Sequence, residues 1–232
     1  STMVIIEDVR YTPVGVCSYL PHQAMRYACF YAHGLTHDEL EQLLVKGWRK
    51  FGQMFFRMAC PSCRKCIPIR VPVKDFQPTR SQRRVIRKNA DARVEFKPLA
   101  FSQRIYEIYQ NHSTRFQNEI SDVKTFTDHF VIRSCPSFQS EYYHGQTLMA
   151  VGYLDHSSHA LSSVYFTFDT RFSRLSPGTY SVLREIEHAR DLGLDYYYLG
   201  YYNPDCQKIA YKNNFRPCEV MDWDTLEWGV FA

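Results

Sequence analysis

The chain has 232 residues, 45% hydrophobic and 22% charged, a globular composition that argues against disorder and leaves room for one or two domains. No apolar run reaches the ~18 residues of a membrane helix, and no basic stretch leads into an apolar one near the start. No membrane contact and no secretion signal are therefore expected, and the setting is read as cytoplasmic and reducing. Ser1-Thr2 ahead of Met3 resembles a cloning scar and is left out of the fold argument.

Val4–Ile6 reads as a short strand. Thr36 and Glu39 have capping-box spacing at the start of a helix that carries Leu40, Leu43 and Leu44 and stops at Gly47. Trp48 to Arg57 alternates like a strand. CPSCRKC then puts Cys60, Cys63 and Cys66 at C-x-x-C-x-x-C spacing. Three thiolates at that spacing, with Cys17 as a fourth, suit zinc or an iron–sulfur cluster; three reduced thiols at a turn are the plainer reading. Ile67–Val73 holds Pro68 and Pro72 and reads as an edge strand.

Ser81 is the expected N-cap of a helix carrying Arg80, Arg83, Arg84, Arg87 and Lys88. The segment from Arg64 to Lys97 has eleven basic residues opposed by Asp75, Asp91 and Glu95, whereas the whole chain is only +4. Such a strip can follow a phosphate backbone; it is equally the composition of a solvated helix face. Helices are expected over Ser102–His112 and Ser121–Arg133.

Beyond residue 140 the order reads β-β-β-loop-α-β-α-β. The strands are Glu141–Tyr143, Leu148–Leu154, Leu161–Phe168, Tyr196–Tyr201 and one around Glu219–Asp222. Helices follow Ser176-Pro177-Gly178-Thr179 and span Asp205–Asn213. A mixed sheet with a small-residue loop entering a helix resembles the acetyltransferase-like (GNAT) fold. The expected class is α+β: a GNAT-like domain over 76–232, including the basic helix near 80–89, and a smaller N-terminal α/β domain over 1–75 with the cysteine turn. The Arg/Gln-x-x-Gly-x-Gly/Ala loop of acetyl-CoA enzymes is missing, which disfavours a small-molecule N-acetyltransferase.

Seven strings carry a closer resemblance: CSYLP (17–21), FGQMFFRMACPSCRKCIPIRVPV (51–73), PTRSQRRVIRKN (78–89), AVGYLD (150–155), LSSVYFTFD (161–169), LSPGTYSVLREIEHAR (175–190) and YYYLGYYNPDCQKIAYKNNFRP (196–217). In this order they resemble the aminoacyl-tRNA–protein transferases of the N-degron pathway, both the eukaryotic arginyltransferases and the bacterial aspartate/glutamate leucyltransferases.

The resemblance implies transfer of an aminoacyl group from charged tRNA to the α-amine of proteins beginning with Asp or Glu. The alternative is a tRNA- or N-degron-binding module without turnover. The donor ester is already activated, so orientation supplies most of the rate and no cofactor is required for the chemistry. Eukaryotic members can carry an iron–sulfur cluster on a CxxC plus an adjacent Cys pair. Here Ser18-Tyr19-Leu20 follow Cys17 and the pair reads Lys65-Cys66, so that set is incomplete.

On this reading Asp155 holds or deprotonates the amine. Glu185 pairs with a cationic donor side chain, which tilts the donor toward arginine. Tyr165, Ser176, Gly178, Thr179, Tyr201 and Tyr202 line an aminoacyl-adenosine pocket. Arg80, Arg83, Arg84, Arg87, Lys88, Lys208 and Lys212 contact tRNA or acceptor. Asp155 also reads as a turn residue, Glu185 as a surface group and the tyrosines as core.

Overall fold

A computed structural model describes residues 3–232; the presumed scar at 1–2 lies outside the described residues. In chain order come β1 (Val4–Tyr11), β2 (Gly15–Val16), β3 (Ala24–Met25), β4 (Tyr27–His33), α1 (His37–Leu44), β5 (Arg49–Phe51), β6 (Met54–Met58) and β7 (Ile67–Pro72). Next are α2 (Arg80–Lys88), β8 (Ala92–Lys97), α3 (Gln103–Arg115), α4 (Val123–Phe130), β9 (Ser137–His144), β10 (Thr147–His156) and β11 (Ala160–Phe168). After a 3-10 turn at Thr170–Leu175 follow α5 (Pro177–Asp191), β12 (Tyr196–Tyr202), α6 (Gln207–Ala210), β13 (Glu219–Met221) and β14 (Trp228–Val230). Among the described residues no helix is long and apolar enough to cross a membrane.

The strands form a small sheet, β1-β4-β6-β5, and an eight-stranded mixed sheet, β14-β13-β7-β12-β11-β10-β9-β8. The fold is therefore mixed α/β, with a smaller N-terminal sheet and a large sheet. Two helical layers cover the large sheet. Tyr180, Val182, Leu183 and Ile186 of α5 and Val85 of α2 pack on Leu154, Leu161 and Tyr197 on one face. Ile105, Tyr106 and Tyr109 of α3 and Phe126 and Phe130 of α4 pack on Val151, Tyr153 and Val164 on the other.

Three details depart from the sequence reading. Ile67–Pro72 is an internal strand between β12 and β13, although its prolines suggested an edge. β13 covers only Ile69 and Arg70; beyond them one side of β7 is open and tolerates residues without an N–H. This strand thus sorts with the large sheet rather than with an N-terminal unit ending at 75. The N-cap of α2 is Thr79, not Ser81, because Gln82 then falls at the third helical position and completes a capping box. The Trp48–Arg57 strand is a hairpin that turns at Gly52 (φ +59°), where a Cβ would lie 1.8 Å from the Asp128 carbonyl oxygen.

The one parallel pairing in the large sheet joins β11 to β12 across the α5 crossover. It lasts three residues, Ala160–Ser162 against Tyr196–Tyr198, and then stops. Val164 is the extra residue of a bulge in β11 against β10, and Leu199 is the extra residue in β12 against β7. Bulges bend strands; these two follow the last parallel pair directly, and the strands part there.

Candidate functional site

The parting of β11 and β12 opens into a cleft of about 730 Å³. Its walls are β11 residues Ser163–Phe166, the N-terminus of α5, and Gln207, Lys208, Tyr211 and Lys212 beyond β12. Ser176 sits in the left-handed region (φ +51°) and Pro177 opens α5. The Tyr180 N–H already bonds the Ser176 carbonyl. The main-chain N–H groups of Gly178 and Thr179 therefore have no intrahelical acceptor at the positive end of a 15-residue helix.

Arg49 reaches the cleft from the small sheet. Its Nη2 donates to the carbonyls of Ser163 and Val164, which lie just past the end of the parallel ladder. Lys212 Nζ donates to the Tyr201 carbonyl at 3.0 Å. A Cβ on Gly200 (φ +98°) would lie 2.6 Å from Arg49 Nη1 and 3.2 Å from Lys212 Nζ, so both cations close on the same bare backbone. Burial, with the Arg49 charge adding to it, pushes the Lys212 ammonium down to about 7. His112 also lines the cleft, and burial pushes it down to about 4, so it is neutral at pH 7. Among the described residues no Asp or Glu lines the cleft. Neither Arg49, Lys208 nor Lys212 forms an ion pair among the described residues.

Of the residues singled out in the sequence, Tyr165, Ser176, Gly178, Thr179, Lys208 and Lys212 line this cleft. Tyr201 and Tyr202 do not: both are buried, Tyr201 donating from its hydroxyl to the Gly47 carbonyl at 2.9 Å and Tyr202 accepting from Asn213 at 3.2 Å.

Asp155 is also displaced from its expected role. It is 2% exposed, pairs with Lys50 at 3.0 Å and accepts from Ser137 Oγ at 2.8 Å, which ties β5 to β10. Glu185 is buried under the sheet, accepting from Tyr197 at 2.5 Å, Ser140 at 2.8 Å and Tyr142 at 3.3 Å. Burial pushes its carboxyl up to about 7 against the pull of those three hydroxyls. It does not line the cleft.

Arg80, Arg83, Arg84, Arg87 and Lys88 are exposed, and none lines the cleft. Gln82 and Val85 turn inward instead. The end of α2 does abut the cleft's lip: Lys88 Nζ donates to the Arg174 carbonyl at 3.0 Å and Asn89 Nδ2 to the Leu175 carbonyl at 2.8 Å.

Cys17, Cys60, Cys63 and Cys66 line a separate cavity of about 660 Å³. Among the described residues no three His, Cys, Asp or Glu side chains converge on a point that would hold a metal ion. Burial pushes the Cys66 thiol up to about 11, and the Cys17 sulfur accepts from the main-chain N–H groups of Tyr19 and Leu20.

Residues 15–84 match the N-terminal part, and residues 102–222 the C-terminal part, of the family described as arginine-tRNA-protein transferase. The chain belongs to that family. An aspartate/glutamate leucyltransferase from Chromobacterium violaceum is 34% identical over 92% of this chain and 91% of its own. One from Chromohalobacter salexigens is 35% identical over 94% and 92%. FemX shares the fold, with a TM-score of 0.51 at 9% identity over 87% of this chain and 81% of its own. The tilt toward an arginyl donor finds no support in these leucyltransferases, and its structural reason goes with the burial of Glu185.

Sequence reasoning missed Arg49. It stands in the alternating stretch Trp48–Arg57, where nothing distinguishes it from any strand arginine. Only the parting of two strands over a hundred residues later gives it a place.

Proposed function

We propose that this protein transfers a leucyl group from the 3′ end of charged tRNA to the α-amine of polypeptides that begin with Asp or Glu. The observation that carries the donor choice is the cleft lining, aromatic and cationic without a carboxylate. A leucyl side chain is matched by Val164, Phe166, Phe168 and Leu199. An arginyl side chain would meet Arg49 and Lys212 and no counter-ion, which is unfavourable in a half-buried site. The leucyltransferase relatives support the same choice.

The α-amine nitrogen attacks the ester carbonyl carbon. A C–N bond forms, the ester C–O bond breaks, and the terminal ribose hydroxyl leaves with a proton. Lys212, with a pKa near 7, is matched to accept the proton that the ammonium sheds. The free N–H groups at the start of α5 suit the phosphate and ribose oxygens of the RNA end. Lys208 at the rim and the exposed Arg80–Lys88 strip beyond the lip suit phosphates farther along the RNA. We read the parted strands and crossover helix as the acetyltransferase-like arrangement, with the acyl ester where the strands separate. The ester brings its own activation, so no cofactor is assigned to the chemistry.

The test supplies purified protein with tRNAs charged one labelled amino acid at a time and peptides differing in their first residue. Leucine incorporated into Asp- and Glu-starting peptides is the expected result. Arginine incorporation overturns the donor, and no incorporation from any tRNA overturns the reaction.

A further inference from the structure

We propose that Arg49 reads the acceptor: its guanidinium receives the side-chain carboxylate of the incoming first residue, beside Lys212. This rests on the transfer reading above and adds to it the residue that makes the enzyme choose an acidic acceptor.

The observations are geometric. The Nη2 edge of the guanidinium is fixed on the Ser163 and Val164 carbonyls. Those are the only hydrogen bonds described for this side chain, which leaves Nε and Nη1 as donors. Gly200, whose added Cβ would collide with Nη1, lets the guanidinium sit close against the β12 backbone. The position is half-buried, and among the described residues the cleft has no acidic lining residue. A half-buried guanidinium with no carboxylate partner forms an anion site. A guanidinium with donors left over offers a carboxylate charge-assisted hydrogen bonds.

The anion could also come from an RNA phosphate. The carboxylate is favoured by where Arg49 sits. It stands at the apex of the strand parting, with a narrow gap behind it lined by Ser162, Tyr198 and Gly200. A short side chain attached next to the reacting amine reaches that apex. Backbone phosphates meet the rim, where Lys208 and the α5 N-terminus already serve them.

The experiment measures binding of two short peptides, one starting with Asp and one with Asn, to the whole protein by calorimetry, without tRNA. The wild type should prefer Asp by ~10–100-fold, the range of a charge-assisted hydrogen bond over a neutral contact. Arg49→Gln should bring that ratio to within ~3-fold, and Arg49→Lys should fall between. If Arg49→Gln does not fold, Arg49→Lys decides: a wild-type ratio in that variant overturns the proposal. Filter binding of leucyl-tRNA supplies the other arm. A variant that loses RNA affinity and keeps its Asp preference assigns the site to phosphate and also overturns it. Because the ratio is read without transfer, failure of the leucyl reaction and failure of this assignment are told apart.

Discussion

Asp155→Asn separates a structural carboxylate from a catalytic one. Lys50 and Asp155 have side chains 5% and 4% exposed and lie 3.0 Å apart, with Ser137 Oγ donating to the same carboxylate at 2.8 Å. The Lys50 ammonium is held above its ordinary pKa by Asp155 despite its burial. Removing the negative charge leaves that cation unpaired in the interior, which costs ~3–5 kcal/mol. For a chain of 232 residues, each kcal/mol moves the melting temperature by ~2–4 °C, so a drop of ~6–20 °C is expected. Thermal unfolding followed by circular dichroism reads it. The double variant Lys50→Met/Asp155→Leu removes both charges and should recover most of the loss. An Asp155→Asn protein that melts with the wild type yet cannot transfer leucine would refute this reasoning and return Asp155 to the chemistry.

Glu185 gives a pH signature. Its folded pKa, about 7, stands above the ordinary 4.5, so its contribution to stability is complete below about 4.5 and is lost as pH rises through 7. That displacement is worth about 3 kcal/mol; the melting temperature should fall over this window and flatten in Glu185→Gln, and an unchanged profile in the variant contradicts the assignment. Lys212→Arg keeps the charge but cannot shed its proton near neutrality. Its single-turnover rate should drop ~10²–10⁴-fold and lose the rise through pH 7 shown by the wild type, whereas full activity in this variant removes Lys212 as proton acceptor. Gly200→Ala sets a Cβ against Arg49 at a backbone angle of +98°. It should destabilise the fold by ~1–3 kcal/mol in denaturant titration, and an unshifted midpoint would mean that the guanidinium moves aside freely.

Local chemistry was legible where the chain reads itself. The Thr36 capping box, the hairpin at His144-Gly145 and the stop at Gly193 follow from neighbours a few residues apart, and the structure has all three. Half of the cleft was legible for the same reason: Ser176-Pro177-Gly178-Thr179 announces a helix start, and Lys208 and Lys212 follow a strand. What escaped is set by distant partners. β4 has three buried residues in a row, Ala28–Phe30, which blurs its alternation. Pro68 and Pro72 argued for an edge, but a two-residue neighbour leaves the open side they need. Asp155 and Glu185 were given roles on the resemblance, from their places at the end of AVGYLD and on the helix after Ser176–Thr179; the lysine and the three hydroxyls that hold them in the interior come from elsewhere in the chain.

The guanidinium at the strand apex also constrains inheritance. A C-terminal half stripped of the β5–β6 hairpin would leave the Ser163 and Val164 carbonyls bare at the mouth of its own cleft. The two halves themselves must descend together, since the first supplies the keystone of the second.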